Sequence, residues 1–139
     1  MTAPDLYLLD TNAISHMMRD PLGTVAQKVL SAAAQGQQTT VCTSVIVQCE
    51  LLFGLRKRPN PRWTNNYHRV MATIEVRSLE PVVATHYAEL RTQLESQGTP
   101  MSANAPLVAA HALALNATLV SADAAFARVP GLKVENWLS

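Results

Sequence analysis

Cysteine is scarce in this chain: there are two, Cys42 and Cys49, and they form no CxxC or comparable spacing. A zinc ribbon and a disulfide-stapled secreted fold are excluded, and the pair reads as buried thiols in a reducing cytosol. Charge is scarce too. Charged residues make up 15% of the sequence and the net charge is only +1. The molecule as a whole is therefore no polycation, and any hold on a nucleic acid must come from a local patch. Long apolar runs are missing as well: Leu6-Tyr7-Leu8-Leu9 is cut by Asp10. That falls far short of the roughly 20 residues a membrane helix needs. No basic leader precedes it, so the expected location is the cytoplasm. Internal repeats and low-complexity tracts are absent.

What is present is a compact composition. Hydrophobic residues reach 48% of 139 residues, enough for a real core in one domain spanning 1–139 and for apolar surface left over. Short β-branched or apolar runs at Leu6–Leu9, Thr39–Thr43, Val76–Leu79, Thr118–Val120 and Leu132–Val134 read as strands. Between them, Ala13–Arg19, Val25–Ala34, Val47–Lys57, Trp63–Ile74, Val82–Gln97 and Pro106–Leu115 read as helices, with Pro21 and Gly98 as stops. Alternating short strands and helices predict an α/β fold whose mainly parallel sheet is covered on both faces.

Three acids stand where chains leave that sheet or its neighbouring helices. Asp10 follows the first strand, Glu50 sits in the first or second turn of a helix, and Asp123 follows the strand ending at Val120. Sites in open parallel sheets gather beyond the carboxyl ends of the strands. Carboxylates brought together repel unless a cation neutralises them or some stay protonated. An all-oxygen set favours Mg²⁺ or Mn²⁺, and such a set points to phosphodiester chemistry.

With these residues in view, the chain resembles the PIN-domain ribonucleases, specifically the VapC-type toxins of VapBC toxin–antitoxin systems. The stretches that carry the likeness are Leu8-Leu9-Asp10-Thr11-Asn12, Glu50-Leu51-Leu52-Phe53-Gly54, Ala109-Ala110-His111-Ala112-Leu113-Ala114 and Val129 to Trp137. Singly these motifs are weak; their order and spacing make the signal. The resemblance implies a three-layer α/β/α fold, Mg²⁺- or Mn²⁺-dependent endoribonuclease activity, oligomerisation, and inhibition by a VapB-type antitoxin through which operator DNA is bound. It assigns the first acid to Asp10, the second to Glu50 and the last to Asp123. The third falls on Ala105, where this sequence departs from the pattern. Weak metal binding and little cleavage are the consequence expected of this chain. Deliberate inactivation and natural degeneration both lead to such a sequence. A catalytically silent module that only binds its antitoxin is the alternative reading.

Local physics adds to this. Pro106 suits a first helical position, which predicts Ala105 as the N-cap. Alanine is a poor cap, costing about 1 kcal/mol against Asp, Ser or Asn. Thr11, Asn12 and Ser121 are the expected hydrogen-bond donors to the acids. Arg56, Lys57, Arg58 and Arg62 form the one strong basic cluster, a solvated helix end or an RNA phosphate contact. His111 reads as a packed, hydrogen-bonded helix residue and no catalyst; His16, His68 and His86 share no spacing and read as surface. The apolar helix Val47–Leu55 predicts an exposed groove for an antitoxin segment, and surplus apolar surface predicts a homodimer. A strand-end Asp also opens haloacid-dehalogenase-like phosphatases and phospho-receiver domains. The first needs an acid where Asn12 stands, and the second a Lys and acidic pair that are not evident.

Overall fold

The computed structural model describes residues 5–98 and 101–138. Among them, five strands form one parallel sheet: β1 (Asp5–Leu9), β2 (Thr39–Ser44), β3 (Glu75–Arg77), β4 (Thr118–Val120) and β5 (Lys133–Glu135). Their order across the sheet is β3-β2-β1-β4-β5. The central strand β1 pairs Leu8 with Cys42 on one side and with Leu119 on the other. Leu8, Leu9, Cys42 and Leu119 are fully buried, which is what continuous apolar strands between two helical layers require.

Helices α1 (Thr11–Arg19) and α2 (Thr24–Ala34) join β1 to β2, and α3 (Val45–Lys57) and α4 (Pro61–Met71) join β2 to β3. The chain then crosses back through α5 (Val82–Ser96) and α6 (Ala105–Leu115) to β4, on the far side of β1. Parallel crossovers are right-handed, so reversing direction at β1 puts α5 and α6 on the opposite face from α1 to α4. The strand order reverses between β1 and β4, and a crevice opens at such a switch point beyond the strand ends. Asp10 and Ser121 are the residues immediately past those two strands.

Element ends follow local chemistry. Asn60 accepts a hydrogen bond from the Arg62 backbone N–H at 2.9 Å, with Pro61 in the first turn, so α4 begins two residues before the predicted Trp63. It also ends earlier, at Met71, where the Thr73 hydroxyl turns back to the Val70 carbonyl at 2.7 Å. Gly98 adopts φ +66° just beyond α5, the left-handed stop that glycine supplies. β3 runs over Glu75–Arg77, starting one residue and ending two residues before the predicted run, and β5 over Lys133–Glu135, one residue later than predicted. Their pairing with β2 and β4, set by backbone register, decides those ends more than side-chain hydrophobicity does. No helix among the described residues is long and apolar enough to cross a membrane.

Candidate active site

Asp10 is held by both strands at the switch point. Its N–H donates to the Val120 carbonyl at 2.9 Å, and its extended backbone forms the N-cap of α1. Its carboxylate Oδ2 accepts from Ser121 Oγ at 2.9 Å and, more loosely, from Asn12 Nδ2 at 3.4 Å. Ser121 Oγ in turn accepts from Asn12 Nδ2 and from the Asp123 backbone N–H, both at 3.1 Å. One donated and two accepted bonds saturate a hydroxyl. Asn12 Oδ1 closes the ring by accepting from the Ala122 N–H at 3.1 Å. Asn12 and Ser121 thus stand where supporting donors were expected, and they lock the loop after β4 onto the start of α1.

Glu50 comes from the other side. It lies in the second turn of α3, half-buried, next to exposed Cys49. Burial raises its carboxyl above the usual range, the Asp10 charge raises it further, and the Thr11 hydroxyl opposes both. That hydroxyl is buried and makes no hydrogen bond of ordinary geometry, yet lies near enough to favour the ionised Glu50. Asp10 is raised as well, first by burial and least by Asp123, against the Thr11 amide and the Ser121 hydroxyl. Burial makes both carboxylates harder to ionise and the Asp10 charge adds to this at Glu50, which is the electrostatic condition a cation relieves.

Asp123 is exposed and caps a short 3₁₀ turn, Ala124–Arg128, its Oδ1 accepting from the Ala125 N–H at 2.9 Å. Asp10, Glu50, Asp123 and Ala105 line one pocket of about 370 Å³ together with Thr11, Asn12 and Arg19. Among the described residues, however, no three of the His, Cys, Asp and Glu side chains come together closely enough to hold an ion. Of the three acids, Asp10 is buried, Glu50 half-buried and Asp123 exposed at the rim.

The PIN-domain family model matches residues 7–132 of this chain. The chain belongs to the PIN-domain family. Ribonuclease VapC2 of Rickettsia felis is 31% identical over 134 residues, covering 95% of this chain and 98% of that protein. The tRNA(fMet)-specific endonuclease VapC of Shigella flexneri is 26% identical over 133 residues, covering 94% and 97%. Among solved structures, VapBC2 from Rickettsia felis bound to a DNA fragment from its promoter superposes with a TM-score of 0.87 at 30% identity, covering 95% of this chain and 98% of that one. These likenesses make this PIN domain one of the VapC ribonucleases.

Several expectations are corrected within the PIN domain. Ala105 is the first residue of α6, and Asn104 holds the N-cap position without a side-chain cap bond. The Ala105 N–H already donates to the Ser102 carbonyl at 3.2 Å, so a turn precedes the helix and the poor-cap argument does not apply. Cys49 is exposed, because α3 turns that face outward, while Cys42 is buried as expected. His68 is exposed, but His16 and His86 are half-buried. Of the basic cluster only Arg58 lines a cavity, a neighbouring groove; Arg56, Lys57 and Arg62 project from the ends of α3 and α4 into solvent. Arg19 was missed. The signal was a polar stripe at Thr11, Ser15 and Arg19, four residues apart and so on one face of α1.

His111 sits deep in α6, 1% exposed, with Nδ1 2.8 Å from Ser44 Oγ. Ser44 Oγ also accepts from the Ile46 N–H at 3.1 Å as the cap of α3. Burial keeps the ring neutral against a weaker pull from the Ser78 backbone, and Nε2 has no hydrogen bond of ordinary geometry. One buried bond therefore ties the helix beginning at Ala105 to the helix carrying Glu50.

Proposed function

We propose that this chain is the ribonuclease toxin of a VapBC-type pair, with Asp10, Glu50 and Asp123 as its acidic site and Ala105 as a vacant fourth ligand position. The observation that carries the reading is the arrival of these four positions, from four separate segments, at one pocket beyond the switch point. The donors suit a hydrated hard cation: all are oxygens, and burial raises the affinity of both Asp10 and Glu50 for a proton. Mg²⁺ is commonly held by one or two carboxylates with waters completing its shell. Asp10 and Glu50 would hold such an ion, Mg²⁺ or Mn²⁺, with Asp123 at the rim; when bound it neutralises phosphate charge and acidifies a water.

The rest is done by the chain itself. The Ser121–Asn12 ring fixes the orientation of the Asp10 carboxylate, while Thr11 favours the ionised form of Glu50. The Asp123 carboxylate stands exposed at the rim, with its Oδ1 capping the turn through the Ala125 N–H. The exposed cations Arg56, Lys57, Arg58 and Arg62 draw RNA toward the face that bears the pocket. The partner is a VapB-type antitoxin seated on α3, where Phe53 is 67% and Leu52 41% exposed, and operator DNA is reached through that partner. A homodimer through apolar helix faces completes the assembly.

The second reading, a silent module that keeps only the antitoxin interface, is favoured by one observation: Ala105 offers no oxygen where the acid belongs. A cleavage assay on total RNA separates the two. The Ala105→Asp chain should cut RNA only with Mg²⁺ or Mn²⁺ and lose that activity on Asp10→Asn, while the present chain stays weak or inert. An inert Ala105→Asp chain on every RNA would exclude the nuclease reading.

A further inference from the structure

A groove of about 600 Å³ runs on from the acidic pocket between α1, α3 and α4. Thr11, Ser15, Arg19 and Glu50 line both, so the two form one continuous trough. Arg19 stands at the junction, and Arg58 and Trp63 line the part of the groove away from the acidic pocket. Neither arginine makes an ion pair or a side-chain hydrogen bond among the described residues, and both are exposed. Trp63 is half-buried and shares the apolar wall with Met18, Leu51 and Leu55.

We propose that this trough is an RNA subsite in which Arg19 binds the phosphate at the acidic pocket, Arg58 binds a neighbouring phosphate, and Trp63 takes a base against its ring. The inference rests on the reading that the chain handles RNA. Charge complementarity selects the occupant. An acidic pocket alone repels a phosphate, and Arg19 is the one basic residue among the described residues that line it. A guanidinium offers a planar fork that matches two phosphate oxygens. An aromatic side chain sharing one trough with two unpaired cations is what a single-stranded nucleic acid uses, with phosphates on the charges and a base on the ring. Most of the basic cluster expected to contact RNA lies outside this trough. The short-range contacts therefore fall to Arg19 and Arg58, and Arg56, Lys57 and Arg62 act at longer range.

The test needs no cleavage. Binding of a fluorescein-labelled single-stranded RNA to the present chain is followed by anisotropy over a series of salt concentrations. Arg19→Gln and Arg58→Gln should each weaken binding and flatten the slope of log K against log salt by about 0.7, and the double variant by about twice that. Arg69→Gln, on an exposed part of α4 outside the groove, should change neither. Trp63→Leu should lose about tenfold in affinity and Trp63→Phe much less, with circular dichroism showing both folded. An Arg19→Gln chain with unchanged affinity and slope overturns the proposal, as does an equal loss in Arg69→Gln. So does a groove whose variants lose only antitoxin binding. A parent chain that binds no RNA overturns it too, while the Ala105→Asp cleavage assay judges the nuclease reading separately.

Discussion

The two halves of the acidic pocket are built differently. On the β1–β4 side, Asp10 is fixed by a closed ring through Ser121 and Asn12, and every hydrogen-bonding site of the Ser121 hydroxyl is used. On the helical side, Glu50 has the Thr11 hydroxyl to favour its ionised form and no comparable hydrogen-bonded ring among the described residues. Its place depends on how α3 is seated, and the Ser44–His111 bond ties α3 to α6 from a distance. One half is preorganised by contacts to the acid itself, the other by packing of the element that carries it. An ordered first acid beside an adjustable second is a workable site for an ion whose waters do part of the holding.

Ser44→Ala removes the α3 cap and strands His111 Nδ1 in the interior, and should cost about 2–4 kcal/mol in chemical denaturation. Ser44→Thr keeps the hydroxyl and should lose far less. On the other side, Ser121→Ala leaves the Asp10 carboxylate, Asn12 and the Asp123 N–H each short of a partner. A loss of about 1–3 kcal/mol is expected, less than for Ser44→Ala because Asn12 and Asp123 can turn to water. Equal losses in the two variants would show that the halves are braced alike.

The smallest effect concerns charge. Burial, with a smaller push from Asp123, lifts the Asp10 carboxyl, so the folded state holds its proton more tightly than the unfolded one. The stability tied to that proton is full below the unfolded carboxyl's titration and is lost as pH rises through the folded one. Asp10→Asn should therefore raise the melting temperature at pH 7, with the gain fading toward about pH 3. A gain that persists undiminished at low pH would mean the carboxylate is not the cause.

The ordered half was the more legible in sequence. Asp10, Asn12 and Ser121 lie at strand ends, where a short apolar run stopping at a polar residue marks the exit from the sheet. Asp123 follows by the same rule, and its double part as cap and pocket residue matches both meanings such a position carries. The helical half was less legible because its features depend on which way a helix is turned. Leu51, Leu52 and Phe53 are alike in hydrophobicity, yet Leu51 is buried and Phe53 faces solvent. Cys49 misled for the same reason. Arg19 was hidden at the far end of α1, two turns from Asp10, and only the fold shows that this face of α1 looks across at Glu50. The resemblance alone marks Ala105 as an acid's position, because the N-cap of α6 is Asn104.

The central claim is that the pocket is a cation site lacking one carboxylate. Mn²⁺ binding measured by electron paramagnetic resonance at neutral pH tests it most directly, comparing the present chain with Ala105→Asp and with Ala105→Asp carrying Asp10→Asn. The expected result is weak binding by the present chain, affinity tighter by about tenfold or more in Ala105→Asp, and loss of that gain with Asp10→Asn. Identical Mn²⁺ affinity in all three chains would contradict it.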